Sequence, residues 1–199
     1  MKKLYIIGAG GHGRVVYDIA FSLGYTDVAF LDDHSTADAV EGKVADYEKF
    51  KETAVFFVAI GNNAIRKAIS ERLLQANATL VSLVHPSAVV GSNVSIGKGT
   101  VVMPNAVINN SAVISDGVII NTAATVDHDS LIGPYSHISV GSHLCGTVVI
   151  GEECFICAGA TVINNIKVCG GCTVGAGAAV IQDITQQGVY VGVPAKRIK

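Results

Sequence analysis

Three stretches of this 199-residue chain carry residues that could do chemistry. The first is Asp127-His128-Asp129. A carboxylate beside an imidazole can orient the ring and stabilise its protonated form, as a general base requires. Eighteen residues further on stands Gly146, which brings a backbone N–H and no side chain. The second stretch is Gly8-Ala9-Gly10-Gly11-His12-Gly13, a glycine-rich turn of the kind that offers bare N–H groups to an anion at a helix N-terminus. The third is Cys154-x-x-Cys157 with Cys169-x-x-Cys172, whose spacing taken alone suggests zinc. What these residues can do depends on the elements that position them.

From Val84 to Val180 every sixth residue is Val, Ile or Leu, seventeen positions without a miss. A second lane, four residues behind each, is mostly small: Ala88, Val94, Thr100, Ala106, Ala112 and onward. Period six fits neither a helix nor a simple strand and marks a repeat architecture. It predicts a parallel β-helix in which each hexapeptide gives a short strand and a corner, and three close an eighteen-residue coil. Coils stack at about 4.8 Å, and only the stack buries a continuous aliphatic core. In this register Gly146 lies one coil above His128, so space and a backbone donor sit beside a base. Such a donor typically stabilises a developing oxyanion by about 3–4 kcal/mol. A corner histidine under a corner glycine is also compatible with the repeat alone. The same register places Cys154 and Cys172 in the small inward lane, and Cys157 and Cys169 just after aliphatic residues near corners. Four sulfurs so distributed do not converge on one ion, and core packing is the better account. His137 and His143 are six apart and therefore on neighbouring faces, so no metal site is expected.

The chain before the repeat alternates differently. Residues 3–7 form an apolar run ahead of the glycine turn, and Arg14 to Leu23 has helical spacing. Val28 to Leu31 reads as a strand closed by Asp32 and Asp33, and Val55 to Ile60 as a strand followed by Gly61-Asn62-Asn63. Asn63 to Asn77 reads as a helix and Leu80 to Leu83 as a last strand. The pattern predicts an α/β unit with a parallel sheet over residues 1–82 and the β-helix over 83–199. Gly8, Gly10 and Gly13 satisfy G-x-G-x-x-G, a weak fingerprint that a ligand-free βα turn also meets. Eighty-odd residues are too few for both halves of a dinucleotide-binding domain and suit a mononucleotide or nucleotide-sugar better. A net charge of −2 gives no reason to expect nucleic acid or an acidic membrane surface. No stretch is long enough to span a bilayer, and the first apolar run is too short for a signal peptide, so a cytoplasmic enzyme is expected.

Several motifs recur here in one order: Gly-Ala-Gly-Gly-His-Gly, Phe-Leu-Asp-Asp, Ala-Ile-Gly-Asn-Asn-Ala-Ile-Arg-Lys, the hexapeptide run, Asp-His-Asp and Val-Gly-Val-Pro-Ala-Lys-Arg. Over essentially its full length the chain resembles the bacterial sugar acyltransferases of the sialic-acid O-acetyltransferase type. Within them it is most similar to UDP-4-amino-sugar N-acetyltransferases of the bacillosamine pathway. The resemblance implies an α/β Rossmann-like N-terminal domain followed by a left-handed parallel β-helix, assembled as a homotrimer. It implies acetyl-CoA as co-substrate in a groove between subunits and a UDP-amino-sugar held by the N-terminal domain. By the same resemblance Gly10, Gly11 and His12 meet the phosphates, Asp32 and Asp33 the uridine, and Gly61 the sugar side. His128 is then the base, Asp129 its orienting carboxylate, Gly146 the oxyanion donor, and His137, Ala158 and Ala176 line the acetyl-CoA path. Asp stands at 129 where such enzymes often have Glu, one methylene longer. The small side chains at 158 and 176 imply contact through backbone, and Lys196 and Arg197 are either CoA phosphate contacts or a solvated tail. O-acetylation of sialic acid or another nucleotide-sugar, a GDP-perosamine-type reaction, and a non-catalytic binding module are the alternatives.

Overall fold

The computed structural model describes residues 2–199. Strands β1 (Leu4–Ile7), β2 (Val28–Leu31), β3 (Val40–Gly42) and β4 (Val55–Val58) form one parallel sheet in the order β3-β2-β1-β4. Strand β1 is buried at every position, which explains its unbroken apolar run: both faces are covered. Helix α1 (Gly11–Ser22) packs Val16, Ile19 and Ala20 against Leu4 and Ile6 on one face. The short helix α2 (Tyr47–Phe50) and helix α3 (Asn63–Gln75) cover the other, with Tyr47 and Leu73 against Tyr5, Ile7 and Phe56. Three-residue β3 and four-residue α2 lie outside the sequence-based expectation, because elements so short show no period to read.

Several boundaries differ from expectation; β4 ends at Val58 rather than Ile60 and α3 at Gln75 rather than Asn77. Helix α1 begins at Gly11 rather than Arg14, with Gly10 extended as its N-cap. A Cβ at Gly13 would run into the Gly8 carbonyl oxygen, so only glycine lets the first helical turn pack this closely on the strand before it. The expected strand Leu80 to Leu83 is divided between two sheets. Leu80 bridges Phe56 at the edge of the α/β sheet, whereas Leu83–Val84 is the first rung of the β-helix, with Leu83 N–H donating to Thr100 O. One short apolar run thus serves both cores.

The β-helix comprises seventeen two-residue strands, from Leu83–Val84 to Ala179–Val180, each ending on one of the periodic aliphatic residues. Pairing is parallel with a register of eighteen, as in Thr125↔His143 and Val126↔Leu144. Three flat faces result. The first carries Val101–Val102, Ile119–Ile120, His137–Ile138, Phe155–Ile156 and Thr173–Val174, the second Thr125–Val126 and His143–Leu144, the third Val113–Ile114 and Leu131–Ile132. The inward lanes, Ile108, Ile114, Ile120, Ala124 and Cys154 among them, form one continuous buried core. Every corner from Asn93 to Gly177, at intervals of six, has a residue with φ between 53° and 67° or, at Gly171, 69°. Glycine fills six of these fifteen places and Asn, Asp, Ser, Ala, Tyr, Thr or Glu the rest. The closed coil enforces a left-handed corner even where the side chain disfavours it.

The α/β unit rests on the first face. Leu83, Val101, Met103 and Ile119 point outward from the β-helix into the same buried cluster as Val16, Ile19 and Phe30. Strand Val189–Val191 extends this face and pairs antiparallel with Lys196–Arg197, whose Arg197 donates to Gln187 O, so the backbone of the basic C-terminal residues is tied down while both side chains are exposed. Among the described residues no helix is long and apolar enough to cross a membrane.

Ile138 is fully buried in the middle coil. Ile138→Ala is expected to destabilise the protein by about 2–5 kcal/mol, because neighbours fixed by the coil ladder cannot collapse into the cavity. Calorimetric unfolding of the variant against the parent checks this.

Candidate active site

His128 stands on the corner between the second and third faces. The left-handed turn at Asp129 (φ 56°) brings that carboxylate back beside the ring, and His128 Nδ1 lies 2.8 Å from Asp129 Oδ2. The shorter Asp therefore reaches the imidazole fully. Asp127 Oδ1 accepts from the His128 N–H at 2.8 Å and from Asn109 Nδ2, one coil below, at 2.7 Å. With Nδ1–H directed at Asp129, the free nitrogen is Nε2. The hydrogen bond to Asp129, and then the charge of Asp127, raise the His128 pKa above the ordinary histidine value. The ring is held in one orientation and is a stronger base than a free imidazole.

Gly146 lies directly over this ring. A Cβ there would come 2.6 Å from His128 Nε2 and 2.7 Å from Cε1, so no side chain fits. Thr147 N–H donates to His128 O at 2.9 Å and locks the two coils in register. Asp127, His128, Cys145, Gly146, Asn164 and Asn165 border an open cavity of about 400 Å³. This corner can accept a proton at Nε2 beside a side-chain-free backbone segment.

The glycine turn forms part of a second site, on the opposite side of the β-helix. The first turn of α1 leaves the N–H groups of Gly11, His12 and Gly13 without helical partners. Asp32 bonds the glycine turn itself through Ala9. Its carboxylate accepts from the N–H groups of Ala9, His34 and Ser35, each at 2.8 Å, and these bonds hold its pKa low. Asp33 Oδ1 similarly accepts from Val44 N–H at 2.9 Å. Both acids shape the loops that border the turn.

Two histidines meet here. His12, His137, Gly11, Gly61, Asn121 and Thr122 line a cavity of about 350 Å³. Gly61 and His137 also border a larger one of about 830 Å³, with Asn63, Phe155, Gly171 and Thr173. Asn121 Oδ1 accepts from Thr122 N–H, which turns its Nδ2 toward His137 Nε2 at 2.9 Å. His137 Nε2 is thus an acceptor, and its proton sits on Nδ1. Burial, followed by the charge of Arg66, lowers the His12 pKa to about 4 and that of His137 to about 3. Both rings are neutral at physiological pH, so His12 can donate to an anion but not neutralise it. Its Nε2 is buried with no partner, a polar atom left for a ligand to satisfy.

Ala158 and Ala176 are exposed, stacked on the corner between the first and second faces; Gly177 N–H donates to Ala158 O. The neighbouring Gly141, Gly159 and Gly177 have open space where a Cβ would be. A strip of bare backbone therefore rises along this corner above Val140. Cys154 and Cys172 are buried in the core lane, and burial pushes their thiols up to about 11 and 12. Cys169 Sγ lies 3.5 Å from Cys172 Sγ, closer than the coil register alone implied. His143 is exposed on the second face, beside Thr125 Oγ1 at 3.0 Å, and joins neither site. Arg66 stands in the Ala-Ile-Gly-Asn-Asn-Ala-Ile-Arg-Lys motif without a role of its own in the resemblance, and Asn121 and Tyr135 carry no signal in the sequence. For Arg66 a signal existed, since it lies in the buried lane of α3 with Ser70 and Leu73.

Two family models match the chain: the PglD N-terminal domain over residues 3–73 and the GMPPB C-terminal domain over residues 75–176. Among solved structures, the acetyltransferase domain of PglB from Neisseria gonorrhoeae FA1090 is 43% identical, covers 100% of both chains and superposes with a TM-score of 0.96. The same domain is known in complex with acetyl coenzyme A. PerB from Caulobacter crescentus, in complex with CoA and GDP-perosamine, is 35% identical over 100% of this chain and 98% of that one, with a TM-score of 0.95. The curated UDP-N-acetylbacillosamine N-acetyltransferase of Bacillus subtilis (strain 168) is 35% identical over 112 residues, 52% of either chain. That alignment spans about half the length of the curated relative.

The geometry at His128 is testable without any substrate. Its ring should titrate above the ordinary histidine value of about 6.5, and Asp129→Asn should lower that midpoint, because the neutral amide no longer favours the imidazolium. Histidine Cε1–H resonances followed against pH measure both, and an unchanged midpoint in the variant would remove Asp129 from its orienting place.

Proposed function

Because the chain belongs to the hexapeptide-repeat sugar acyltransferases of the sialic-acid O-acetyltransferase type, we propose that it transfers the acetyl group of acetyl-CoA to the amino group of a nucleotide-linked amino sugar. The observation that carries this reading is the His128 corner: an imidazole oriented by Asp129, with Nε2 free beneath a glycine. The likeness to PglB's acetyltransferase domain, PerB and the Bacillus enzyme supports N-acetylation over O-acetylation. A UDP-linked 4-amino sugar is the first substrate to test and a GDP-linked one the second, since relatives named for each are equally identical to this chain.

In the proposed reaction the sugar amine attacks the thioester carbonyl. His128 Nε2 takes a proton from the attacking nitrogen as the C–N bond forms, and Asp129 stabilises the resulting imidazolium. The Gly146 N–H is the donor for the carbonyl oxygen as it gains negative charge. Collapse breaks the C–S bond, and the imidazolium returns its proton to the departing sulfur. No covalent enzyme intermediate is needed, and the core-bound Cys154 and Cys172, held protonated by burial, are poor nucleophiles. The strip of bare backbone at Ala158 and Ala176 suits the extended, uncharged arm of acetyl-CoA.

The two sites lie on different sides of one chain. The His128 corner is opposite the first face, on which the α/β unit rests, and its cavity shares no residue with those at His12 and Gly61. A complete reaction centre in this reading needs the His128 corner of one copy against the α/β unit of another, as a cyclic homotrimer would supply.

Thiol release from acetyl-CoA across UDP-, GDP- and CMP-linked amino and hydroxy sugars tests the activity, with an amino sugar expected to respond. His128→Ala should lower the rate at least about a hundredfold while assembly is unchanged, and Gly146→Val, which displaces the ring, should do likewise. Co-expressing His128→Ala with an equally inactive His12→Ala should restore about one quarter of the sites, because an interface between the two variants can pair one intact half of each. No restoration would place both halves in a single chain.

A further inference from the structure

We propose that Arg66 is a positioning residue of the acceptor site, fixing the Ile60–Gly61 turn against the β-helix corners at Gly117 and Tyr135. This inference rests on the acyltransfer reading above for its kinetic arm only. Arg66 is 1% exposed and belongs to the first turns of α3. Its Nε donates to Gly117 O at 2.8 Å, and Nη2 donates to Tyr135 O at 2.6 Å and to Asn63 Oδ1 at 2.9 Å. Nη1 reaches Ile60 O at 2.9 Å and Gly61 O at 3.2 Å. One planar fork therefore holds the turn after β4, the N-terminus of α3 and two successive coils of the β-helix.

The acceptors are all neutral. Glu153, whose charge favours the protonated guanidinium, is paired with Lys67 at 2.6 Å and makes no ion pair with Arg66 among the described residues. An unpaired buried cation is costly, and a well-packed apolar side chain would join two units at lower cost. A guanidinium does what an apolar group cannot: it places several carbonyl oxygens at fixed distances in one plane. Burial lowers its pKa only to about 10, so it stays charged at neutral pH.

What the fork positions is specific. Gly61 and His137 are the two residues shared by the 350 Å³ and 830 Å³ cavities, so they form the wall where the cavities meet. Arg66 bonds one side of that wall directly, through Gly61 O. On the other side it bonds Tyr135 O, two residues before His137. Its charge also helps keep both site histidines neutral, so that the unpartnered His12 ring offers a hydrogen bond rather than charge.

The test uses Arg66→Lys, which keeps the charge but loses the fork, with Arg66→Met as a second variant. In Arg66→Lys the KM for the nucleotide-sugar should rise at least tenfold while the KM for acetyl-CoA changes less than twofold. A merely structural role would lower the apparent kcat through loss of folded protein and leave both KM values unchanged, and unchanged KM values, or equal rises in both, would overturn the proposal. A second readout needs no activity. Ile65 N–H donates to Asn62 Oδ1 at 3.0 Å, so loosening of the turn should speed its hydrogen exchange at least tenfold while the β-helix strands are unaffected. Unchanged exchange in both variants overturns the proposal even if the wild-type protein acetylates nothing, an outcome that would instead sink the acyltransfer reading.

Discussion

The ladder that pairs each residue with the one eighteen positions on is the constraint from which the chemistry follows. It carries no functional information itself, yet it decides which side chains stand over which. His128 meets Gly146 because 128 and 146 differ by eighteen, and Thr147 N–H on His128 O pins that relation. The corner geometry adds the second condition. A coil closed in eighteen residues needs a left-handed residue at each turn, and at this turn the residue is Asp129. Asp tolerates that conformation better than most side chains, and there its carboxylate curls back onto the preceding imidazole. Orientation of the imidazole is thus a by-product of closing the coil.

The same ladder explains how the α/β unit is seated. Along the outward column of the first face, Leu83, Val101 and Ile119 are buried, and the column then changes to His137, Phe155 and Thr173. Outward apolar residues on a β-helix require a cover, and each contributes about 1.5–3 kcal/mol when it receives one. The change from aliphatic to polar and aromatic residues marks where the cover ends and the cleft begins. Arg66 sits at that boundary, with Lys67 on Glu152 and Glu153 just outside it.

Much of this was legible in the sequence because a repeat amplifies its own signal. Seventeen aliphatic residues in register give the coil, its core lanes and the His128–Gly146 stack, and all three appear in the structure. The glycine turn and the strands around it were also readable from apolar runs and from G-x-G-x-x-G. What escaped were features without a period: three-residue β3, four-residue α2, and the division of Leu80 to Leu83 between two sheets. The bonds of Asp32 and Asp33 escaped for a different reason. Their oxygens accept from backbone N–H groups of their own and neighbouring loops, an arrangement that depends on loop paths no spacing encodes. The left-handed corners were hidden because only six of fifteen are glycine.

The charge distribution around the cleft constrains how an anionic acceptor could be held. His12 and His137 are neutral, and the Arg66 guanidinium is enclosed by carbonyl groups, so none of the three presents an available positive charge to the cavities. Two helix N-termini open there instead, α1 at Gly11 and α3 at Asn63. Each carries unpaired N–H groups and about half a unit of positive charge. On the proposed reaction a nucleotide diphosphate would be bound by oriented backbone and by the neutral His12 imidazole. Such a site recognises the position of phosphate oxygens more than their charge, and it avoids placing a titrating cation beside an amine that must lose its own proton. The His128 imidazole stands on another edge of the β-helix, where Asp129 and Asp127 raise its proton affinity.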